Sequence, residues 1–418
     1  MKKCLQMVMG ILTGCMITII ACWVYETVNF GINGEPDLSG QNYVQVEAEA
    51  VTPSTVTDES GEMSGDTNAS EEGLVTSPVG EESSPGATDE PESGKKSNSI
   101  TITISAAGDC SLGNHQKQDY NSSFVQAYDQ AGDPGYFFAN VKEIFSEDDF
   151  TIVNLEGVFT TSNNADTSRT YNIKGDPSYA GILTAGDVEA VSMANNHRLD
   201  FGTQGTTDTV AALEAEGILY AYDDIVCISE VNGIRIGYVS VNEVAWGRGT
   251  ETLVQEGIDK LKEEGVNLII ACCHWGIEKE YYPEAYQTEL GQKCIDMGAD
   301  LVLGHHPHVL QGIEEYNGKY IVYSLGNFSF GANRNPADKD TMIYQQTFTF
   351  VDGQLQGDLD ARIIPCSISS VSSRNDFQPT PLEGEEGAAV IGRLNTYSVG
   401  MGVEIGEDGT LLPGIREE

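Results

Sequence analysis

Between residues 100 and 310, five apolar runs of strand length each end in polar residues that an ordinary turn does not require. The run 104–107 leads into Gly108-Asp109, and 152–153 leads into Asn154-Leu155-Glu156-Gly157. The run 191–193 leads into Ala194-Asn195-Asn196-His197, 269–273 into His274-Trp275-Gly276, and 301–303 into Gly304-His305-His306-Pro307-His308. Helix-like stretches separate the strands, at 136–145, 179–184, 206–216, 252–264 and 284–297. Strands alternating with helices of this length predict an α/β fold with a sheet buried on both faces. In such sheets ligands bind outside the carboxyl ends of the strands. Five converging ends would bring together Asp, Glu, Asn and four or five His.

The histidines sharpen this expectation. The chain has six, and five lie in these strand-end segments; the sixth, His115, follows Asp109 by six positions. A single His at a strand end is usually a satisfied core or turn residue, because imidazole bonds readily to backbone groups. That reading does not predict five of six in strand-end segments. Imidazole, carboxylate and carboxamide together suit a divalent Mn, Fe or Zn ion better than Mg or Ca.

Past residue 319 the pattern turns to strands, at 320–324, 341–351 and 355–364, with a hairpin signal at Asp352-Gly353. The tail from Ser367 is polar and predicts an irregular extension, 367–418, packed on or trailing the domain. Upstream, residues 1–30 are apolar and 31–99 are acidic and rich in Ser, Gly and Pro. Met1-Lys2-Lys3 precedes about 20 residues without charge up to Glu26, the length of a membrane-spanning helix, and the two lysines place the N terminus inside. A cleaved signal peptide and a lipid anchor at Cys15 or Cys22 are the rival readings, and all three export the downstream chain. The segment 31–99 cannot bury enough apolar surface to offset its ordering entropy and reads as a disordered acidic linker. The expected organisation is an anchor at 1–30, that linker, a domain at 100–366 and the extension.

Charge excludes one class of partner. The formal net charge is −42, and residues 1–99 hold 16 of the 64 acidic side chains and 4 of the 22 basic ones. The folded part is therefore strongly negative as well, and no nucleic-acid partner is expected. The nine cysteines show no CxxC pair, so buried free thiols are expected rather than a zinc ribbon or a disulfide framework.

Asn154-Leu155-Glu156, the stretch from Ala194 to Gly202 (Ala-Asn-Asn-His-Arg-Leu-Asp-Phe-Gly), His274-Trp275-Gly276-Ile277-Glu278, Gly304-His305-His306-Pro307-His308-Val309-Leu310-Gln311 and Ser324-Leu325-Gly326-Asn327-Phe328 occur together in this order. Taken together they resemble the motifs of the capsule-synthesis (CapA, poly-γ-glutamate) family over roughly residues 100–365. That family is similar to the calcineurin-like metallophosphoesterases, which implies a central β-sandwich flanked by helices with two metals at the strand ends. The resemblance implies that Asp109 and His308 bind one metal, that Glu156 bridges, and that Asn196, His274 and His306 bind the second. It also implies that His197 is an acid or base oriented by Asp200, and that water activated by the metals is the nucleophile. Two positions depart from the pattern: Glu156 stands at the bridge where the phosphoesterases usually have Asp, and Ser111 stands where they have a His, so one or two ions remain open unless His115 or water contributes.

Trp275, Glu278, Lys174 and Asn327 are the candidate substrate contacts, with packing, a loop anchor, a surface salt bridge and a loop floor as their respective structural readings. The resemblance implies a cell-surface hydrolase or transfer factor acting on an anionic envelope polymer or its precursor, by phosphoester or amide chemistry. The alternative is a non-catalytic subunit of an envelope-polymer export complex, with membrane proteins as partners and a degenerate metal site.

Overall fold

The computed structural model of the chain describes residues 43–47, 98–357 and 359–416. The expected anchor at 1–30 and most of the 31–99 linker lie outside the described residues. Among the described residues, no helix is long and apolar enough to cross a membrane.

The alternating pattern resolves into two large sheets. The first has the strand order Tyr43–Glu47, Val226–Val231, Ile234–Asn242, Leu268–His274, Leu301–His305, Lys319–Val322, Ile313–Tyr316. The second runs Thr380–Pro381, Asp360–Ser367, Asp340–Val351, Ser99–Ser111, Phe150–Leu155, Ala190–Ser192, Leu219–Ala221. The central strands of each sheet are parallel, so each sheet presents its carboxyl ends along one edge. The mixed α/β class expected from the sequence is borne out.

Strand alternation sorts the apolar residues into layers. From the strand Leu268–His274, Leu268, Ile270 and Cys272 join Ile102, Ile104, Phe150 and Ile152 of the second sheet in a shared interior. Ile269, Ala271 and Cys273 face outward onto Val254, Ile258 and Leu261 of the helix Thr250–Glu263 and Leu290 of Ala285–Met297. On the far side, Val153, Leu155 and Val191 meet Phe124, Leu183 and Leu213 from the helices Phe124–Ala131, Gly181–Ala185 and Gly202–Ala215. Polar ties join the sheets near the strand ends. Tyr238 Oη donates to the Val191 carbonyl at 2.8 Å, and the Ser192 and Ser240 hydroxyls lie 2.7 Å apart.

Three expectations are corrected. The tail from Ser367 is not irregular: it contains the helix Gly384–Tyr397 and the hairpin Met401–Ile405/Leu411–Arg416. Val390, Ile391 and Leu394, at helical spacing, bury their side chains, which offsets the entropy of ordering the segment. The stretch 136–145 is not one helix but a 3₁₀ turn, Pro134–Tyr136, and a short helix, Lys142–Ser146, with Phe137 and Phe138 both fully buried between them. Within the expected linker, Tyr43–Glu47 forms an edge strand parallel to Val226–Val231. The alternation of Val44 and Val46 with Gln45 and Glu47 suits a strand.

Candidate metal centre

The carboxyl ends of the two sheets bring the predicted residues into one cluster. Asp109 lies in the buried C-terminal part of the strand Ser99–Ser111, next to a register shift in the ladder with Phe150–Leu155. Its backbone N–H donates to the Gly326 carbonyl at 2.8 Å. A Cβ at position 108 would lie 2.0 Å from that same oxygen, so only glycine permits this approach. His306 and His308 flank Pro307 with φ of 96° and 59°. Strained non-glycine backbone of this kind persists where the surroundings enforce it.

Two groups of ligand atoms result. Those of Asp109, Glu156 and His308 lie within 4.8 Å of one another, and so do those of Glu156, His274 and His306, with Glu156 common to both. His308 Nδ1 is 3.0 Å from Asp109 Oδ2, and its Nε2 is 3.6 Å from Glu156 Oε1. Asn196 Oδ1 sits 3.0 Å from His274 Nε2, which places this carboxamide beside the second group. Asn154 organises both groups: its Nδ2 donates to Asp109 Oδ1 at 2.8 Å and lies 3.5 Å from His274 Nδ1. Asn195 Nδ2 in turn reaches Asn154 Oδ1 at 3.2 Å.

The electrostatics match a cation-binding pocket. Burial opposes ionisation of Asp109, but hydrogen bonds and charge from His305 and His308 outweigh it and hold the carboxyl well below the usual range. Burial pushes Glu156 up to about 7, against the charge of His308. Burial also pushes His274 well below its usual value and His306 down to about 4, so both imidazoles are neutral and have lone pairs to donate. At His308 burial is overcome by Glu156 and Asp109, raising it to about 9. Both oxygens of Glu156 and the Nδ1 of His306 are buried without a hydrogen-bond partner. A buried carboxylate left with neither oxygen satisfied costs several kcal/mol. Divalent ions held by the two groups would remove that cost, so the residues present fit the expected metal.

The other predicted residues divide. His197 and Asp200 are brought to the cluster, with His197 Nε2 3.8 Å from Glu156 Oε1. Glu278 and Asn327 line a cleft of about 630 Å³ that opens over Glu156, His197 and His308. Asn327 Nδ2 also donates to the His308 carbonyl at 3.0 Å. Trp275 is not a cleft wall: it is fully buried, and its indole N–H donates to the Tyr323 carbonyl at 2.8 Å. Lys174 is not at the cleft either, because its ammonium is held by the Ser162 carbonyl and Asn163 Oδ1 and lies over the Phe201 ring. His115 lines the cleft but turns its Nε2 to the Thr170 carbonyl, 3.3 Å away. The Ser111 hydroxyl is buried without a partner and belongs to neither group. Asn154 was missed as a site residue, although a carboxamide between Val153 and Leu155 at the end of a buried strand was the available signal. Lys279 and Arg334, also in the cleft lining, carried none.

Fold and site define an α/β protein of two facing sheets whose strand ends converge on paired groups of candidate metal ligands sharing one glutamate. The family model described as bacterial capsule synthesis protein PGA_cap matches residues 103–332, a span containing every residue of both groups, and the chain belongs to that family. It is 26% identical over 254 residues to the capsule biosynthesis protein CapA of Bacillus anthracis, covering 55% of this chain and 60% of that one. It is 30% identical over 215 residues to the PGA biosynthesis protein CapA of Bacillus subtilis, covering 46% and 56%. A polyglutamine synthesis accessory protein of Mycobacterium tuberculosis matches at 28% over 208 residues, covering 43% and 55%. The chain thus spans little more than half the length of these relatives.

Proposed function

We propose that this protein is a metal-dependent hydrolase or transferase acting at the cell surface on an anionic envelope polymer or its precursor. The observation that carries the reading is the pair of ligand groups sharing Glu156, with an anchored His197 at their edge. Asp109, Glu156 and His308 would hold one ion, and Glu156, Asn196, His274 and His306 the other. Ions so placed, Mn, Fe or Zn by donor chemistry, supply Lewis acidity and lower the pKa of water. The protein's own contribution is positioning. His197 keeps one ring nitrogen on Asp200 and faces the reacting region with the other, where it gives or takes a proton. The cleft walls exclude bulk water and align an extended substrate.

The names of the relatives support a capsule-type polymer as substrate, and the likeness to calcineurin-type phosphoesterases supports phosphoester chemistry, with amide hydrolysis or transfer as the other option. The apolar run between Leu5 and Tyr25 serves as the membrane anchor, and the acidic segment 31–99 holds the 100–366 domain outside. A second reading draws on Ser111, whose substitution for His leaves the first group three protein ligands: the site is then degenerate and the chain serves an export complex as a scaffold.

Assaying the purified full chain, loaded in turn with Mn, Fe and Zn, against nitrophenyl phosphoesters and γ-glutamyl peptides separates the two. Turnover abolished by EDTA supports the enzyme. No turnover of either class with any of the three metals overturns it and favours the scaffold.

A further inference from the structure

In a chain with 64 acidic side chains, two cations of the cleft lining make no ion pair among the described residues. Among the described residues, Lys279 and Arg334 form no ion pair, whereas Arg198, Lys293, Lys319 and Arg393 all do. Lys279 has a left-handed backbone, φ 68°, and its N–H donates to the Pro307 carbonyl at 2.8 Å, which ties it to the His306–His308 turn. Arg334 follows the strand Asn327–Phe330, and its guanidinium makes a single long contact, 3.5 Å to the Asn121 carbonyl. Solvated surface cations are common, so an absent partner alone decides nothing. The same lining, however, contains Gln118, whose Nε2 is a buried donor without an acceptor.

Glu278 and Glu280 flank Lys279 without pairing with it, and the acid four residues from Arg334 is already occupied. Asp338 lines the cleft with Arg334, but both of its oxygens accept from Arg393, which also reaches Asp340. The Arg393 guanidinium lies 5.4 Å from the Tyr281 ring centre and 5.8 Å from that of Tyr397, and those two rings stack at 5.5 Å. Tyr281 is two residues from Lys279, and Asp338 is four from Arg334. The helix Gly384–Tyr397, beyond the span matched by the family model, therefore grips both cation-bearing loops.

We propose that Lys279 and Arg334, with Gln118 Nε2, form an anion-recognition subsite beside the metal centre. It takes a second carboxylate or phosphate of the substrate, and Arg393 is its positioning residue. The inference rests on reading the cleft as a substrate site and adds what the substrate must present: anionic groups repeated along a chain, one at the metals and another at the subsite.

Calorimetric titration of the metal-loaded full chain tests this, with a γ-linked glutamate decamer, an inorganic polyphosphate of similar length and a glutamine decamer as neutral control. The expected result is that one anionic oligomer binds and the neutral one does not, which also separates carboxylate from phosphate recognition. Lys279→Gln/Arg334→Gln weakens binding about a hundredfold, about tenfold for each charge-assisted contact, with metal per chain unchanged. Arg393→Met weakens binding and flattens its salt dependence, because Asp338 is released to compete for the cations. Adding Asp338→Asn to Arg393→Met restores binding, which a merely structural role for Arg393 does not predict. If neither anionic oligomer outbinds the neutral one, or Lys279→Gln/Arg334→Gln binds like the parent, the subsite is overturned whatever the metal count. A chain that takes up no metal yet binds the decamer through Lys279 and Arg334 would overturn the hydrolase reading alone.

Discussion

His197 Nδ1 lies 2.7 Å from Asp200 Oδ2, which leaves the Nε2 side of the ring facing Glu156 at 3.8 Å. Asp200 is fully buried and is fixed in turn by the Ile173 N–H at 2.7 Å and by Arg169 at 3.4 Å. An imidazole held this way has its tautomer set by the carboxylate and offers one defined nitrogen to the reaction.

Removing that nitrogen gives the first prediction. His197→Ala keeps the parent metal content and loses turnover by about 10²–10⁴, the usual contribution of a positioned acid or base. Asp200→Asn retains metal as well and shows a shifted pH profile. Parent-level turnover in His197→Ala would remove the proton-transfer role.

Trp275 carries stability rather than recognition. Its ring fills space beside Tyr323, Leu290 and Cys294, and its N–H satisfies a buried carbonyl. Trp275→Ala lowers stability by about 3–5 kcal/mol in urea titration while the folded fraction keeps its affinity for the glutamate decamer. A variant of normal stability with lost affinity would return Trp275 to the cleft.

Away from the site, two half-buried carboxyls make stability fall with pH. Burial raises Glu189 to about 8 and Asp148 to about 7, and each carries a further increment from the other or a neighbouring acid. Both bond to Thr151, Glu189 to its N–H and Asp148 to its hydroxyl, each at 2.7 Å. In the folded chain they stay protonated at pH values where the unfolded chain has already released both protons. The stabilisation they give is therefore complete below the ordinary carboxylate range and is lost as pH rises through about 7 to 8. The urea midpoint is expected to drop from pH 5 to pH 9, and Glu189→Gln to flatten that drop with a gain on the order of 2 kcal/mol at pH 9. Parallel pH curves for the two proteins would contradict this.

The ligand cluster was legible because Asp109, Glu156, His274 and the 305–308 turn each sit where an apolar run stops, and strand ends of parallel sheets share an edge. Trp275 was misplaced for a reason the pleat makes plain. It directly follows His274, and consecutive strand residues face opposite sides, so when His274 points to the ligands Trp275 enters the outer layer. Lys174 looked available because nothing local announces its acceptors, a carbonyl and a carboxamide about a dozen residues upstream. Lys279, between Glu278 and Glu280, and Arg334 are loop charges without a pattern, and Arg393, which contacts Tyr281 and Asp338, belongs to the tail far along the chain. The tail helix could have been read from the spacing of Val390, Ile391 and Leu394, but the polar stretch before it masked the pattern.

The shared role of Glu156 is the central claim, and counting metals tests it most directly. Elemental analysis of the metal-loaded full chain is expected to find about two divalent ions per molecule. His306→Ala should then retain about one, and Glu156→Ala close to none, with the far-ultraviolet circular dichroism of the parent. A folded Glu156→Ala protein that keeps the parent metal count would contradict the account.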